Sequence, residues 1–186
     1  MAAELAVHFA RGRDAWRAVH YLHYAGENAL RRNAYQEAIT HLTTGLEVLA
    51  TLPETPRRAQ QELDLQVALG PAFMVTRGPA SPAVEQVYAR AQELCQQVGE
   101  TPQLFPVLWG LWRRYNNRCE YQRARALGEQ LLSLAQQVHD AALLLEAHHA
   151  LWATLFYTGK FTSARAHLEQ GRALYDPQQH QAHALF

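Results

Sequence analysis

The feature that most constrains the fold is a motif that recurs along the chain. Tyr35-Gln36-Glu37-Ala38, Tyr121-Gln122-Arg123-Ala124 and Phe161-Thr162-Ser163-Ala164 each place an aromatic residue at a helix start and an alanine three residues later. The first and last copies extend further, since His41-Leu42-Thr43-Thr44-Gly45 and His167-Leu168-Glu169-Gln170-Gly171 keep His, Leu and Gly at the same offsets from the shared alanine. A degenerate fourth copy has Val84, Tyr88 and Ala91 in the alanine, aromatic and small-residue slots, with Leu69-Gly70 and Phe73 in the segment before it. Such self-similarity marks a repeat architecture, in which one unit cannot bury its own apolar face and successive copies stack to do so.

The unit is helical. Between breakers, apolar residues recur at i, i+3, i+4 and i+7, and no segment sustains the period of two that a strand needs. The breakers are Gly12 to Asp14, Asn33-Ala34, Pro53 to Pro56, Gly78 to Pro82, Gly99 to Pro102, Asp140, Gly159 and Asp176-Pro177, and they cut the chain into about nine helices. Short links between such helices make antiparallel neighbours, so the fold class is all-α and the building block is a helical hairpin. The whole span 1–186 reads as a single helical-repeat domain.

With these residues in view, the chain resembles the tetratricopeptide repeat, which carries Trp-x2-Leu-Gly-x2-Tyr in one helix and Ala-x3-Phe in the next. The resemblance implies a right-handed α-solenoid of stacked hairpins. Ala38, Gly45, Ala124, Ala164 and Gly171 then stand at close helix contacts. Leu22, Leu42, Leu108, Leu111, Tyr115, Leu151, Leu155 and Leu168 fill the gaps between hairpins. Two departures matter. Trp112 and Trp152 occupy positions where the repeat expects glycine, so the helices there are expected to stand further apart. The equivalent positions Ala38, Val84, Ala124 and Ala164 lie 46, 40 and 40 residues apart, beyond the usual period of about 34. The segments AELAVHFARG, AVHYLHYAGENALRRNAYQEAI and ELCQQVGETPQLFPVLWGLW are similar to the helical-repeat region that follows the ATPase module in large bacterial signalling proteins, often with an adenylate or guanylate cyclase domain. That likeness implies a fragment of a larger array in a cytoplasmic signalling protein and brings no catalytic residue with it.

Catalytic chemistry finds no support in the residues. There is no G-x-x-x-x-G-K-[ST], G-x-G-x-x-G, G-x-S-x-G or H-E-x-x-H, so the chain is read as a non-enzyme with no cofactor. Among the ten histidines, His20/His23 and His180/His183 could share a helix face, but neither pair comes with the full set of Cys or carboxylate ligands expected for a complete metal site, so no metal is expected. His148 and His149 adjoin and point to different faces, with His148 expected to be packed. Cys95 and Cys119, the only cysteines, both fall within helical patterns and read as reduced, packed thiols. Lys plus Arg equals Asp plus Glu at 17 each, which recommends neither nucleic acid nor an anionic membrane. No apolar run approaches the roughly 20 residues that span a bilayer, and MAAELAVHFARGRD has no secretory pattern.

Binding is the remaining function. In tetratricopeptide arrays the first helix of each hairpin lines a concave groove. Helical-wheel projection puts His20, His23, Glu27 and Arg31 there, then Asp64 and Met74, then Trp109, Arg113, Asn116 and Asn117, then Glu146, His149, Phe156 and Tyr157. A groove of aromatic, Arg and Asn side chains suits a peptide or protein partner. The lysine clamp that some such repeats use for acidic tails is absent, since Lys160 is the only lysine. The expected function is therefore a regulatory scaffold that binds a peptide, a protein or other domains of its parent. The alternative is an effector-binding sensor domain of a transcriptional regulator. Beyond Asp176-Pro177, QQHQAHALF has the apolar residues of a helix start, so a face of the last helix containing Ala166, Leu174 and Tyr175 is expected to be open. Self-association through that edge, or a tail folded over it, follows.

Overall fold

The computed structural model describes residues 2–11, 14–99 and 101–176. Among them there is no strand and there are nine helices: α1 Ala2–Arg11, α2 Ala15–Arg31, α3 Tyr35–Ala50, α4 Pro56–Arg77, α5 Pro82–Val98, α6 Leu104–Asn117, α7 Tyr121–Val138, α8 Ala141–Tyr157 and α9 Phe161–Leu174. The all-α hairpin architecture is as expected, with α2 packed on α3, α4 on α5 and α8 on α9. Two second helices also meet the first of the next pair, α3 on α4 and α7 on α8. Contacts divide the chain into two compact units, Met1–Gly110 and Leu111–Phe186, with the division inside α6. Residues 177–186, with His180, His183 and the apolar Ala182, Ala184, Leu185 and Phe186, lie outside the described residues.

Local chemistry sets the helix ends. Asp14 accepts from the Arg17 amide at 3.1 Å, Thr55 from the Arg58 amide at 3.2 Å, and Asp140 from the amides of Ala142 and Leu143 at 2.8 and 3.0 Å. Each satisfies an orphan donor of the first turn. Three hairpin turns are copies of one another. Asn33, Cys119 and Gly159 take positive φ, at 57°, 60° and 72°. The residue after each donates back across the turn, Ala34 to Ala29, Glu120 to Tyr115 and Lys160 to Leu155, each at 2.9 Å. That left-handed residue closing the first helix is the usual helix-ending device. It moves Cys119 out of its expected helix: Cys119 is the exposed corner of the α6–α7 turn, while Cys95 is buried within α5.

In the first unit, Val19, Ile39, Leu42, Leu49, Leu65, Leu69, Ala72 and Val87 form one apolar cluster. Small residues opposite large ones decide how closely its helices approach. Leu42 lies over Gly26, and the Leu65 side chain of α4 comes within 3.2 Å of where a Cβ on Gly45 would stand. Tyr88, 4% exposed, lies against both Gly70 and Gly110. A charge pair ties α4 to α5: Arg90 meets the Glu62 carboxylate through Nε at 2.6 Å and Nη2 at 3.2 Å. This bidentate contact, with Glu93 adding to it, raises the guanidinium pKa above its ordinary value.

In the second unit, Leu151, Leu155 and Ala164 form the core with Leu132 against it. Trp112, 4% exposed, donates from Nε1 to Thr154 Oγ1 at 2.9 Å, and Thr154 donates to the Ala150 carbonyl at 2.8 Å. Ala38, Ala124, Ala164, Gly45 and Gly171 are all buried, as the repeat requires. Gly110, two residues before Trp112, admits the large side chain of Tyr88. One expectation is corrected. Leu168, expected to fill a gap, is 48% exposed. Its counterpart Leu42 lies over Gly26 and belongs to the core cluster shared with Leu65 and Leu69 of α4, whereas Trp152 stands at the position equivalent to Gly26 and lines the cavity together with Leu168.

Candidate partner-binding surfaces

The expected groove residues of the first unit fall into two groups. On α2, His20 and Arg31 are exposed, His23 and Glu27 are half-buried, and the four share one side of the helix. His23 Nε2 lies 3.6 Å from Glu27 Oε1, and the Arg31 guanidinium bonds Asn28 and lies 6.0 Å from the Tyr24 ring centre. Tyr24, 49% exposed, was missed because its spacing gave no motif. On α4, Asp64 accepts from Gln60 at 3.0 Å and from Gln103 at 2.9 Å, so it holds the start of α6 to α4. Met74 and Trp109 are half-buried.

In the second unit, Arg113, Glu146 and His149 come together. Desolvation holds the His149 imidazole below its ordinary pKa, with Glu146 raising it and Arg113 lowering it. His149 is exposed by area, yet its ring meets the Trp112 edge at 5.7 Å and Trp152 at 5.5 Å, which explains the shielding. Asn116 Oδ1 lies 3.4 Å from Thr154 Oγ1, and Asn117 donates to the Arg113 carbonyl at 2.7 Å. Both amides thus serve local structure.

Phe156 and Tyr157 sit at the end of α8, 52% and 61% exposed. They join two aromatics that motif reading had treated only as helix starts. Phe156 meets Phe161 edge-on at 5.6 Å, and Tyr157 stacks on Tyr121 at 5.9 Å with an interplanar angle of 11°. Phe161 is 62% exposed. The signal was the repeat itself: Tyr121 and Phe161 occupy the slot of Tyr35, which packs against the first unit's core. Cys119 borders the patch, and its contact with Tyr121, with some desolvation, raises the pKa of that hydroxyl.

A cavity of about 370 Å³ opens between α8 and α9, lined by Leu145, Glu146, His149, Trp152, Leu168, Gly171, Arg172 and Tyr175. The open face is therefore centred on Leu168 and Tyr175, the latter 47% exposed, and not on Ala166 and Leu174. Ala166 corresponds to the exposed Thr40 and Leu174 to the half-buried Val48. Beneath this face His148, buried as expected, lies with Nδ1 3.0 Å from Nδ1 of His167. Burial lowers the pKa of both, and the neighbouring imidazole lowers that of His148 further.

Among the described residues, no group of three or more His, Cys, Asp or Glu is placed to hold a metal ion, and no helix is long and apolar enough to cross a membrane. No protein-family model matches the chain, and no curated protein matches its sequence.

Proposed function

We propose that the chain is a protein-interaction module, a tetratricopeptide-type array that binds a peptide or protein partner within a larger cytoplasmic signalling protein. The observation that carries this reading is the patch of Phe156, Tyr157, Phe161 and Tyr121. Three of the four rings are more than half exposed. Contiguous exposed apolar surface of this kind marks interaction sites, and aromatic side chains dominate binding energy because they bury large area at low entropic cost. Each ring removed from water would contribute about 1.5–3 kcal/mol. Lys160, in the turn between Phe156 and Phe161, adds a cation suited to a partner carboxylate. The ATPase or cyclase output rests on the resemblance in sequence alone.

The test is partner recovery. Immobilised wild-type chain and a Phe156→Ala/Tyr157→Ala/Phe161→Ala variant are exposed to extract from the source organism and the retained proteins quantified. A partner held by wild type and lost by the variant, with helical content unchanged, supports the reading. Identical retention by both removes the patch as the binding surface.

A further inference from the structure

We propose that the aromatic patch takes an acidic peptide segment, one in which Asp or Glu side chains flank apolar ones; this rests on the reading of the patch as the binding surface and adds the chemistry of its partner. The observation is a charge asymmetry within the second unit. The α6–α7 and α8–α9 turns lie at one end of their helices, since Tyr121 after the first turn stacks on Tyr157 before the second. Residues 113–124 and 156–164, which make up that end, hold five basic side chains and one carboxylate, Glu120. Residues 125–155 and 165–176 hold three basic side chains and five acidic ones. The whole chain carries 17 of each sign, so the asymmetry lies in arrangement, and the patch stands on its cationic side.

Pairing sharpens the contrast. Away from the turns, Arg125 is held by Glu129 at 2.9 Å and Arg165 by Glu169 at 2.7 Å, each four residues along its own helix. At the turns, Arg118 Nε lies 2.8 Å from one oxygen of Glu120 and Arg123 Nη1 lies 3.0 Å from the other. One carboxylate between two guanidiniums leaves that trio cationic. The Arg118 bond, with the charges of Arg123 and Arg114 behind it, holds the Glu120 carboxyl below its ordinary pKa. Lys160 adds an exposed ammonium in the other turn, between Phe156 and Phe161. Exposed charges contribute little affinity each, but together they steer an oppositely charged partner and reject one of like charge. The rings supply the buried area and the cations choose the sign.

A nucleic acid is the other polyanion that such an end could attract, and the rings argue against it. Bases bind to aromatic side chains by stacking on open ring faces. Here Tyr121 and Tyr157 turn faces to each other with an interplanar angle of 11°, and Phe156 meets Tyr157 and Phe161 at 78° and 66°. Rings packed on one another in this way present a compact apolar surface that suits the side chains of a peptide.

Peptide selection tests the assignment. A display library of random peptides is selected on the immobilised full chain and counter-selected on Phe156→Ala/Tyr157→Ala/Phe161→Ala. Patch-dependent peptides should be enriched in Asp and Glu beside Leu, Phe or Trp. Such a peptide, synthesised with both ends blocked, should bind at least threefold more weakly to Lys160→Gln and to Arg123→Gln at low salt, and at least twofold more tightly to Glu120→Gln. These differences should vanish in about 1 M salt, where the Debye length is about 3 Å. The Glu120 side chain caps no amide of α7, and Arg123 and Lys160 are exposed, so all three variants should melt within a few degrees of wild type. Patch-dependent peptides of neutral or basic composition would overturn the acidic partner and leave the patch as the binding surface, whereas a selection with no patch-dependent peptide would overturn both. Equal affinity across the charge variants would also overturn the proposal, as would a single-stranded oligothymidylate that binds the patch more tightly than the selected peptides.

Discussion

Tyr88 offers a sharp test of how glycine sets helix spacing, because it is held between two glycines on different helices. A Cβ built on Gly70 would lie 2.7 Å from Tyr88 Cε2, with other ring atoms closer still, and one on Gly110 would meet the same ring. With 4% of its surface exposed, the ring has no solvent side to retreat to. Two opposing effects meet in a Gly→Ala substitution. Ala is favoured over Gly within a helix by about 1 kcal/mol, and overpacking a filled core costs about 1–3 kcal/mol. The second wins here because the obstructing atoms belong to a confined ring. Gly70→Ala and Gly110→Ala should each lower stability by about 1–2 kcal/mol, as the balance of those two terms. In a Tyr88→Leu background, which is itself less stable, the same alanines meet a smaller side chain and their sign should reverse, adding up to about 1 kcal/mol. Urea titration of the four-member cycle reads this directly, provided the slope with denaturant is unchanged. Stabilisation by either alanine in the wild-type background would refute the reasoning.

The left-handed turn residue gives a second prediction: Cys119→Gly should stabilise by about 0.5–1 kcal/mol, as relief of the αL penalty outweighs the extra freedom glycine has when unfolded, and a lower midpoint in urea would contradict it. Thiol chemistry gives a third, since Cys119 is exposed while Cys95 is buried with its pKa raised by desolvation. A thiol-specific dye should titrate only Cys119 in the native chain and both on unfolding. A fourth concerns pH. His148 and His167 are held below the ordinary imidazole pKa by burial, so the unfolded chain binds protons first as pH falls. Stability is whole above about 6.5 and is lost as pH drops from there through the folded-state values. His148→Leu, which installs the residue that Leu22 supplies in the first hairpin, should flatten the melting-temperature profile between pH 7 and 5, and an unchanged profile would exclude this pair as its source.

Much of this fold is legible in sequence because the repeat is literal. The offsets linking Tyr35, Tyr121 and Phe161 also link Ala38, Ala124 and Ala164, and the structure shows that they link Asn33, Cys119 and Gly159 as well. Cys119 was misplaced because its type gives no turn signal, although its repeat position does. Leu168 was misjudged for a different reason: its counterpart Leu42 is buried in a cluster with Leu65 and Leu69 of the helix that follows, contacts that the motif itself does not contain. The binding surface was less legible. Asp64, Asn116 and Asn117 look available on a helical wheel, yet their polar groups serve hydrogen bonds within their own units. Phe156 and Tyr157 were readable as candidates, but the patch emerges only when the turn brings Phe161 and Tyr121 beside them.

The central claim is that the aromatic patch binds a partner on a scaffold that does not need it for folding. The decisive measurement is the dissociation constant of a recovered partner for wild type, for Phe156→Ala and Tyr157→Ala singly, and for Arg125→Ala on α7 as an exposed control. The account predicts at least a tenfold loss for each patch variant, about 1.4 kcal/mol or more, with melting temperatures within a few degrees of wild type and the control unaffected. Equal affinity across all four proteins, or a loss that tracks melting temperature instead of the patch, would contradict it.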